Sequence, residues 1–360
     1  MIPDRFIISL LALFVLAPTA ACATTAEDPG QTCLKITLTG TQGGPPAIGG
    51  LAGSGTLVQY GAAENNCSDV AMQFDIGRDT VTQLSKLGVG ANDVDAVFIT
   101  HIHSDHSEGL IDLLQLRWHF FGDKMDVVCS DDVTTKFPPP ERTISCRGYV
   151  EHIADALIYG GEIAQRYPES NRRQPEGPKA LVNLMAVPVP LPDKPGTVVW
   201  ERGDVTVSAI GTVHIAGSLA YRVDTPAGSV VIGGDAGNSR PVPPRASSTS
   251  ETVEALAQGA DVIVNSVIHP VFAPGGGSSF PPPNYLRQSN AEDLGSMAKR
   301  AGVGHLMLTH LIPAADSPSH GPYVVPGGPV SREDFAAEAR KSGFEGRIHV
   351  GEDLMTLQLP

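Results

Sequence analysis

The sequence predicts an α+β fold in which two β-sheets carry helices on their outer faces. Runs of successive strands are mixed with single strand–helix units, which combines the signatures of antiparallel and parallel pairing. In addition, 41% of the 360 residues are hydrophobic, enough for a substantial core in one large domain. The 39 glycines and 30 prolines are dispersed rather than periodic, so the chain is rich in loops without reading as collagen or as a disordered tract.

The elements follow in order. Residues 33–46, "CLKITLTGTQGGPP", alternate around Leu34, Ile36 and Leu38 and stop in a Gly/Pro turn, as a strand does on entering a loop. "GTLVQYG" and "VAMQFDIG" read as two further strands. "RDTVTQLSKLGV" places Val81, Leu84 and Leu87 at helical spacing and ends at Gly88, a C-terminal cap. "VDAVFIT" is a short buried strand, and the amphipathic helix "SEGLIDLLQLRWHFFG" follows it. Farther on, "GDVTVSAIGTVH", "LAYRVDTP" and "GSVVIGGDAG" form three successive strands. The helix "ETVEALAQGA" feeds the strand "DVIVNSVIHP", and "SNAEDLGSMAKRAGV", capped by Ser289 or Asn290, feeds "HLMLTH". "VSREDFAAEARKSG" and "RIHVGEDLMTLQL" close the chain as a helix and a strand. Long Pro/Gly loops separate these elements, notably 43–55, 188–196, 240–248, 273–284 and 313–329. Loops of this length in a compact protein tend to be functional rims or lids.

Residues 1–23 have the layout of a secretory signal peptide. Arg5 precedes an apolar run from Phe6 to Ala17, and a small-residue stretch with an Ala21-Cys22-Ala23 cleavage site follows. The mature chain is then a single domain, 24–360, exported to the periplasm or secreted. It would be lipid-anchored only if Cys22 is modified as a lipoprotein cysteine. Without Cys22, four cysteines remain: Cys33, Cys67, Cys129 and Cys146. In an oxidising compartment they are disulfide candidates. Locality favours Cys33–Cys67 and Cys129–Cys146, although spacing alone leaves three pairings open. The net charge of −14 is poorly suited to gripping a long phosphate backbone, so no nucleic-acid partner is expected. The expected partner is a small anionic or ester substrate; formation of a homo-oligomer is left open.

The chemistry is concentrated in "VFITHIHSDHSEGL". This segment sets His101, His103, Asp105 and His106 just past a buried strand in a chain with only 11 histidines. Imidazoles and carboxylates together suit zinc and similar borderline cations. In extended chain His101 and His103 point the same way and can share one ion, while Asp105 and His106, past the turn, can hold a second. Three more ligand-type residues stand at the ends of apolar strands: His214 after "VTVSAIGTV", Asp235 after "SVVIGG", and His310 after "HLMLT". Together these seven residues provide enough ligands for two ions.

These motifs, with "ITLTGTQGGPP", "FDIGRDTVTQLSKLGV", "GTVHIAGSLAYRV", "VVIGGDAG" and "LMLTHLIP", resemble the metallo-β-lactamase superfamily in content and order, and most closely its ribonuclease Z and arylsulfatase-like branch. The resemblance covers nearly the whole chain after the leader. It implies an αββα four-layer sandwich with a dinuclear site along one edge. His101, His103 and His214 would hold one ion, Asp105, His106 and His310 the other, and Asp235 would bridge them. Asp75 would steady a ligand histidine from behind. Relatives carry a His-Glu pair in the segment matching "DVIVNSVIHP", where this chain has Asn265 and Ser266. His269, slightly farther on, is therefore the candidate proton donor, with Asp105 as the other catalytic candidate. The long arm with which ribonuclease Z holds tRNA is not evident.

The functional expectation is a metal-dependent hydrolase of small esters using two divalent ions, Zn2+ first and Mn2+ or Fe2+ as alternatives. Arylsulfatase-like hydrolysis of sulfuric esters leads. A phosphodiesterase of the cyclic-nucleotide or ribonuclease Z-like kind is second, and a lactonase third. A metal-binding protein without catalysis is the reading from another class, and a closed, single-ion site would favour it.

Overall fold

The computed structural model describes residues 31–136, 139–169, 182–188, 196–240 and 246–360. The leader and Cys22 lie outside these residues. The N-terminal strands are β1 (Thr32–Gly40), β2 (Gly55–Ala62), β3 (Val70–Phe74), β4 (Ala96–Phe98), β5 (Met125–Ser130), β6 (Val133–Thr135), β7 (Arg142–Ile144) and β8 (Val182–Val187). The second half contributes β9 (Thr197–Arg202), β10 (Val205–Gly211), β11 (Leu219–Thr225), β12 (Gly228–Ile232), β13 (Val262–Ile268), β14 (His305–Ile312), β15 (Ser319–His320), β16 (Tyr323–Val324), β17 (Arg347–Val350) and β18 (Thr356–Leu359). The helices are α1 (Thr80–Lys86), α2 (Ser104–Ser107), α3 (Leu110–His119), α4 (Cys146–Asp155), α5 (Glu162–Glu169), α6 (Glu251–Leu256), α7 (Pro282–Leu286), α8 (Ala291–Ala301) and α9 (Arg332–Arg340). None of the described helices is long and apolar enough to cross a membrane.

Two seven-stranded sheets result, ordered β18-β1-β2-β3-β4-β5-β8 and β17-β14-β13-β12-β11-β10-β9. The period-two alternation of each strand divides its side chains between two cores. Leu34, Ile36, Met72, Phe74 and Phe98 from the first sheet meet Val207, Tyr221, Val230, Val262 and Met307 from the second in a core between the sheets. The opposite faces bury Leu57, Val97 and Val127 under α1, α3 and α4. On the other side, Val231, Ile263 and Leu306 lie under α6, α8 and α9. The result is four layers, αββα.

The centre of the inner core is aromatic. Phe74 stacks on Phe98 with centroids 4.6 Å apart, and Tyr221 packs against both. The Tyr221 hydroxyl donates to the Ile99 carbonyl at 2.8 Å, which ties the second sheet to the end of β4 two residues before His101.

The sequence reading departs from the structure in three places. Residues 123–202 carry no predicted element, yet they hold β5 to β9 with α4 and α5, because short strands and the two-strand ribbon β6–β7 carry little periodic signal. The helix expected over 107–122 is broken into α2 and α3. The closing strand of 347–359 is two strands in different sheets: a left-handed residue, Leu354, turns the chain after β17 and sends β18 across to β1. Disulfides join Cys33 to Cys67 and Cys129 to Cys146.

Candidate metal centre

β3, β4, β5 and β8 run parallel, as do β12, β13, β14 and β17. The crevice beyond the carboxyl ends of parallel strands is where such sheets present ligands. His101 follows β4, Asp235 follows β12, and His310 stands within β14 where its backbone turns left-handed, φ +48°. His214 follows β10, and Asp105 and His106 occupy the single turn of α2.

Backbone bonds hold the His-rich segment against β3. The amides of Asp75 and Ile76 donate to the carbonyls of Phe98 and His106, both at 2.8 Å. Close approach also depends on glycine. A Cβ on Gly77 would lie 2.1 Å from the Asp105 carbonyl oxygen, and Gly234, at φ +57°, leaves no room for one against Thr100.

The seven residues converge. Three groups have their ligand atoms within 4.8 Å of one another: His101/His103/His214, His101/His106/Asp235 and Asp105/His106/His310. His103 Nδ1 is 2.9 Å from His101 Nε2 and 3.3 Å from His214 Nε2. Asp235 Oδ1 is 3.4 Å from His106 Nε2, and its Oδ2 is 3.3 Å from His310 Nε2 and 3.6 Å from His214 Nε2, so this one carboxylate faces both sets.

Ligands about 2.0–2.1 Å from a common tetrahedral ion stand roughly 3.3 Å apart, and the separations here are of that size. His106 Nε2 and Asp235 Oδ1 are buried without a hydrogen-bond partner, as divalent ions among these donors would require. One competing bond exists: His310 Nε2 also accepts from the Gly44 amide at 3.1 Å, so an ion and Gly44 would share a single lone pair.

The electrostatics suit cations. Burial lowers the pKa of His101 and His103 and takes His214 to about 4, keeping these imidazoles neutral and able to ligate. Burial also disfavours a proton on His106, but Asp235, Asp75 and Asp105 outweigh it and raise its pKa well above 6.5. Asp105 and Asp235 are held well below the usual carboxylate range: burial opposes their charge, and the neighbouring histidines more than offset it.

Asp75 sits behind the cluster in a left-handed conformation, φ +52°. It accepts from the Thr100 amide at 2.7 Å, from the Thr100 hydroxyl at 2.8 Å and from His106 Nδ1 at 2.7 Å, which leaves His106 Nε2 turned toward the site. Asp75→Asn is therefore expected to weaken zinc affinity roughly 10- to 100-fold, read by competition with a chromogenic chelator. Unchanged affinity would mean that Asp75 only braces the turn.

His269 does not reach the site. It caps a short 3-10 turn, its Nδ1 accepting from the Val271 amide at 3.1 Å, and its ring packs on Phe335 of α9. The ring lines neither of the two cavities beside the ligands. The expectation that His269 donates a proton is corrected on this geometry. Asn265 and Ser266 are also buried, inside β13.

The sequence reading missed two residues that do line the cavity over the ligands, Arg287 and His320. His320 belongs to the Pro/Gly-rich segment 313–329 and Arg287 caps α7 just past segment 273–284, where only the loop length hinted at function.

A family described as "Anti-Pycsar protein Apyc1" matches residues 62–137. A "Ribonuclease Z" of Mycobacterium bovis is 29% identical over 335 residues, covering 91% of this chain and 98% of that protein. The chain is thus similar to ribonuclease Z along nearly its whole length, and its fold is the metallo-β-lactamase fold. Solved structures share the fold of this superfamily at low identity. The metallo-β-lactamase fold protein YhfI of Bacillus subtilis has a TM-score of 0.55 at 21% identity, covering 91% of this chain and 100% of its own. The short form of human tRNase Z has a TM-score of 0.56 at 16% identity, covering 91% and 99%.

Proposed function

We propose that this protein is a hydrolase of small phosphodiesters that works with two divalent cations. One observation carries the choice of a diester. Two cavities, of about 390 and 890 Å³, open on either side of His103, His214 and Arg287, which line both. A phosphoryl centre held over the ligands could then send one organic arm into each. A sulfate or phosphate monoester has only one arm to place. The relatives support the same ordering, since ribonuclease Z and tRNase Z are nucleases by name and none of the relatives described above is named as a sulfatase. The sequence expectation that put sulfuric esters first is thus reversed in favour of its phosphodiesterase alternative. The substrate is small rather than tRNA, because a chain of net charge −14 offers no basic track for a long polyanion.

His101, His103 and His214 would hold one cation, and Asp105, His106 and His310 the other, with Asp235 between them. When bound, the pair supplies Lewis-acid charge and lowers the pKa of an attacking water. Asp105, ionised on the cavity floor, accepts a proton of that water and orients it. Arg287 Nε is buried without a hydrogen-bond partner at the junction of the two cavities. Arg287 is half-buried, and a phosphoryl oxygen would satisfy both its charge and this N–H. Segments 44–46, 280–288 and 320–323 border the mouth of the cavity over the ligands.

Export is part of this proposal. Two disulfides support an oxidising compartment, while the leader itself, 1–23, lies outside the described residues.

The test compares bis(p-nitrophenyl) phosphate, p-nitrophenyl phosphate and p-nitrophenyl sulfate on metal-replete protein. The diester should have the highest kcat/KM. Arg287→Ala should lower that value roughly 10- to 100-fold, mainly through KM, as expected for one charge-assisted hydrogen bond. A sulfate ester turned over faster than the diester would overturn the assignment.

A further inference from the structure

His320 is the one imidazole lining the cavity that the two ligand sets do not use. It lies in the ribbon β15–β16, paired across from Tyr323, and is only 4% exposed. Phe272 and Phe280 flank its ring, with centroids 6.3 and 6.1 Å away. Its Nδ1 has no hydrogen-bond partner. Its Nε2 lies 3.3 Å from where a Cβ on Gly44 would stand. Gly44 in turn donates to His310, so His320 stands above the Asp105/His106/His310 set, whereas Arg287 borders the His103/His214 side.

An imidazole always carries one N–H and one lone pair. Burying it half-satisfied among phenylalanines costs about 1–3 kcal/mol that an apolar ring would avoid. A purely packing role does not account for the choice of residue, whereas a polar group arriving in the cavity does. The buried ring lines the cavity over the ligands, and its neutral form has a single N–H to give.

We propose that His320 donates this N–H to the oxygen that departs from phosphorus, the leaving arm lying on the Phe280/Tyr323 side of the cleft. This assignment rests on the phosphodiesterase reading. In the step, the water oxygen bonds to phosphorus and the P–O bond to the leaving group breaks. The bonding pair stays on the departing oxygen, and the proton taken from the attacking water ends on that oxygen. His320 keeps its proton throughout and acts by offsetting the charge that builds up as the bond breaks.

The experiment uses metal-replete protein and a series of aryl phosphodiesters whose leaving phenols run from acidic to weakly acidic, with metal content and circular dichroism measured in parallel. His320→Ala should lose about 10²-fold or more in kcat with the poorest leaving group and only a few-fold with the best, which steepens the leaving-group dependence. His320→Gln, which restores an N–H, should recover part of the loss. Both variants should keep the wild-type metal content and fold. Equal losses across the series, no loss, or loss of metal from a folded variant would each overturn the role of His320 while leaving the phosphodiesterase reading in place. A wild-type protein inactive on every diester would overturn both.

Discussion

Asp235→Ala is expected to leave the protein with at least one divalent ion fewer and to slow diester hydrolysis by roughly 10³-fold, the rate equivalent of several kcal/mol of lost charge stabilisation. Among the described residues, Asp235 is the carboxylate whose two oxygens face His106, His214 and His310 together. Remove it, and three imidazoles that converge on a shared charge are left around a hole. The fold should tolerate the change, because the turn after β12 is set by Gly234 rather than by the carboxylate, which faces the site and accepts from Gln288 at 3.3 Å. Elemental analysis of the purified variant, with rates on bis(p-nitrophenyl) phosphate, decides the matter. Two ions per chain and undiminished turnover would remove Asp235 from the site.

Much of this centre was legible in the sequence, for a physical reason. Ligands placed just past buried strands inherit the rigidity of those strands, and buried strands are the elements whose composition is most distinctive. His101, His214, Asp235 and His310 could thus be selected by one rule, and the structure brings them to one crevice with His103, Asp105 and His106. The same rule failed for His269, which also follows an apolar strand. Pro270 and the 3-10 turn that it starts rotate the ring onto Phe335, and no strand-end pattern encodes that turn. Arg287 and His320 were invisible because they sit in segments dominated by Pro, Gly and Ser, where neither a period of two nor of 3.6 exists to say which way a side chain points. The disposition of the two cavities was equally out of reach. It depends on how the β6–β7 ribbon and α7 meet across the site, and residues 123–202 gave no pattern from which to place that ribbon. Lacking that geometry, the ordering of sulfate above phosphodiester rested on resemblance alone.

Metal loading should depend on pH through one dominant proton. In the metal-free protein His106 carries a pKa well above 6.5: burial opposes its charge, and Asp235, Asp75 and Asp105 together prevail. An ion at Nε2 must displace that proton, so apparent affinity should fall about tenfold for each unit that the pH drops below this raised pKa. His101, His103 and His214, in the other set, do not compete in the same range, since burial lowers their pKa values, that of His214 to about 4. Asp105 and Asp235 stay ionised until much more acid conditions. A slope of about one proton across the neutral and mildly alkaline range is therefore expected, not three or four. The same shift bears on the metal-free fold with the opposite sign. A raised folded-state pKa contributes stability that is complete below the unfolded value and is lost as pH rises through the folded value. Metal-free protein should become less stable on the alkaline side, where metal-loaded protein is most secure. Zinc titrations against a competing chelator at several pH values, with thermal unfolding of both forms, measure the two trends. In His106→Gln the neutral-range slope should vanish. A wild-type affinity that does not change with pH there would show that His106 carries no proton in the empty site, and that the cluster of carboxylates around it is balanced in some other way.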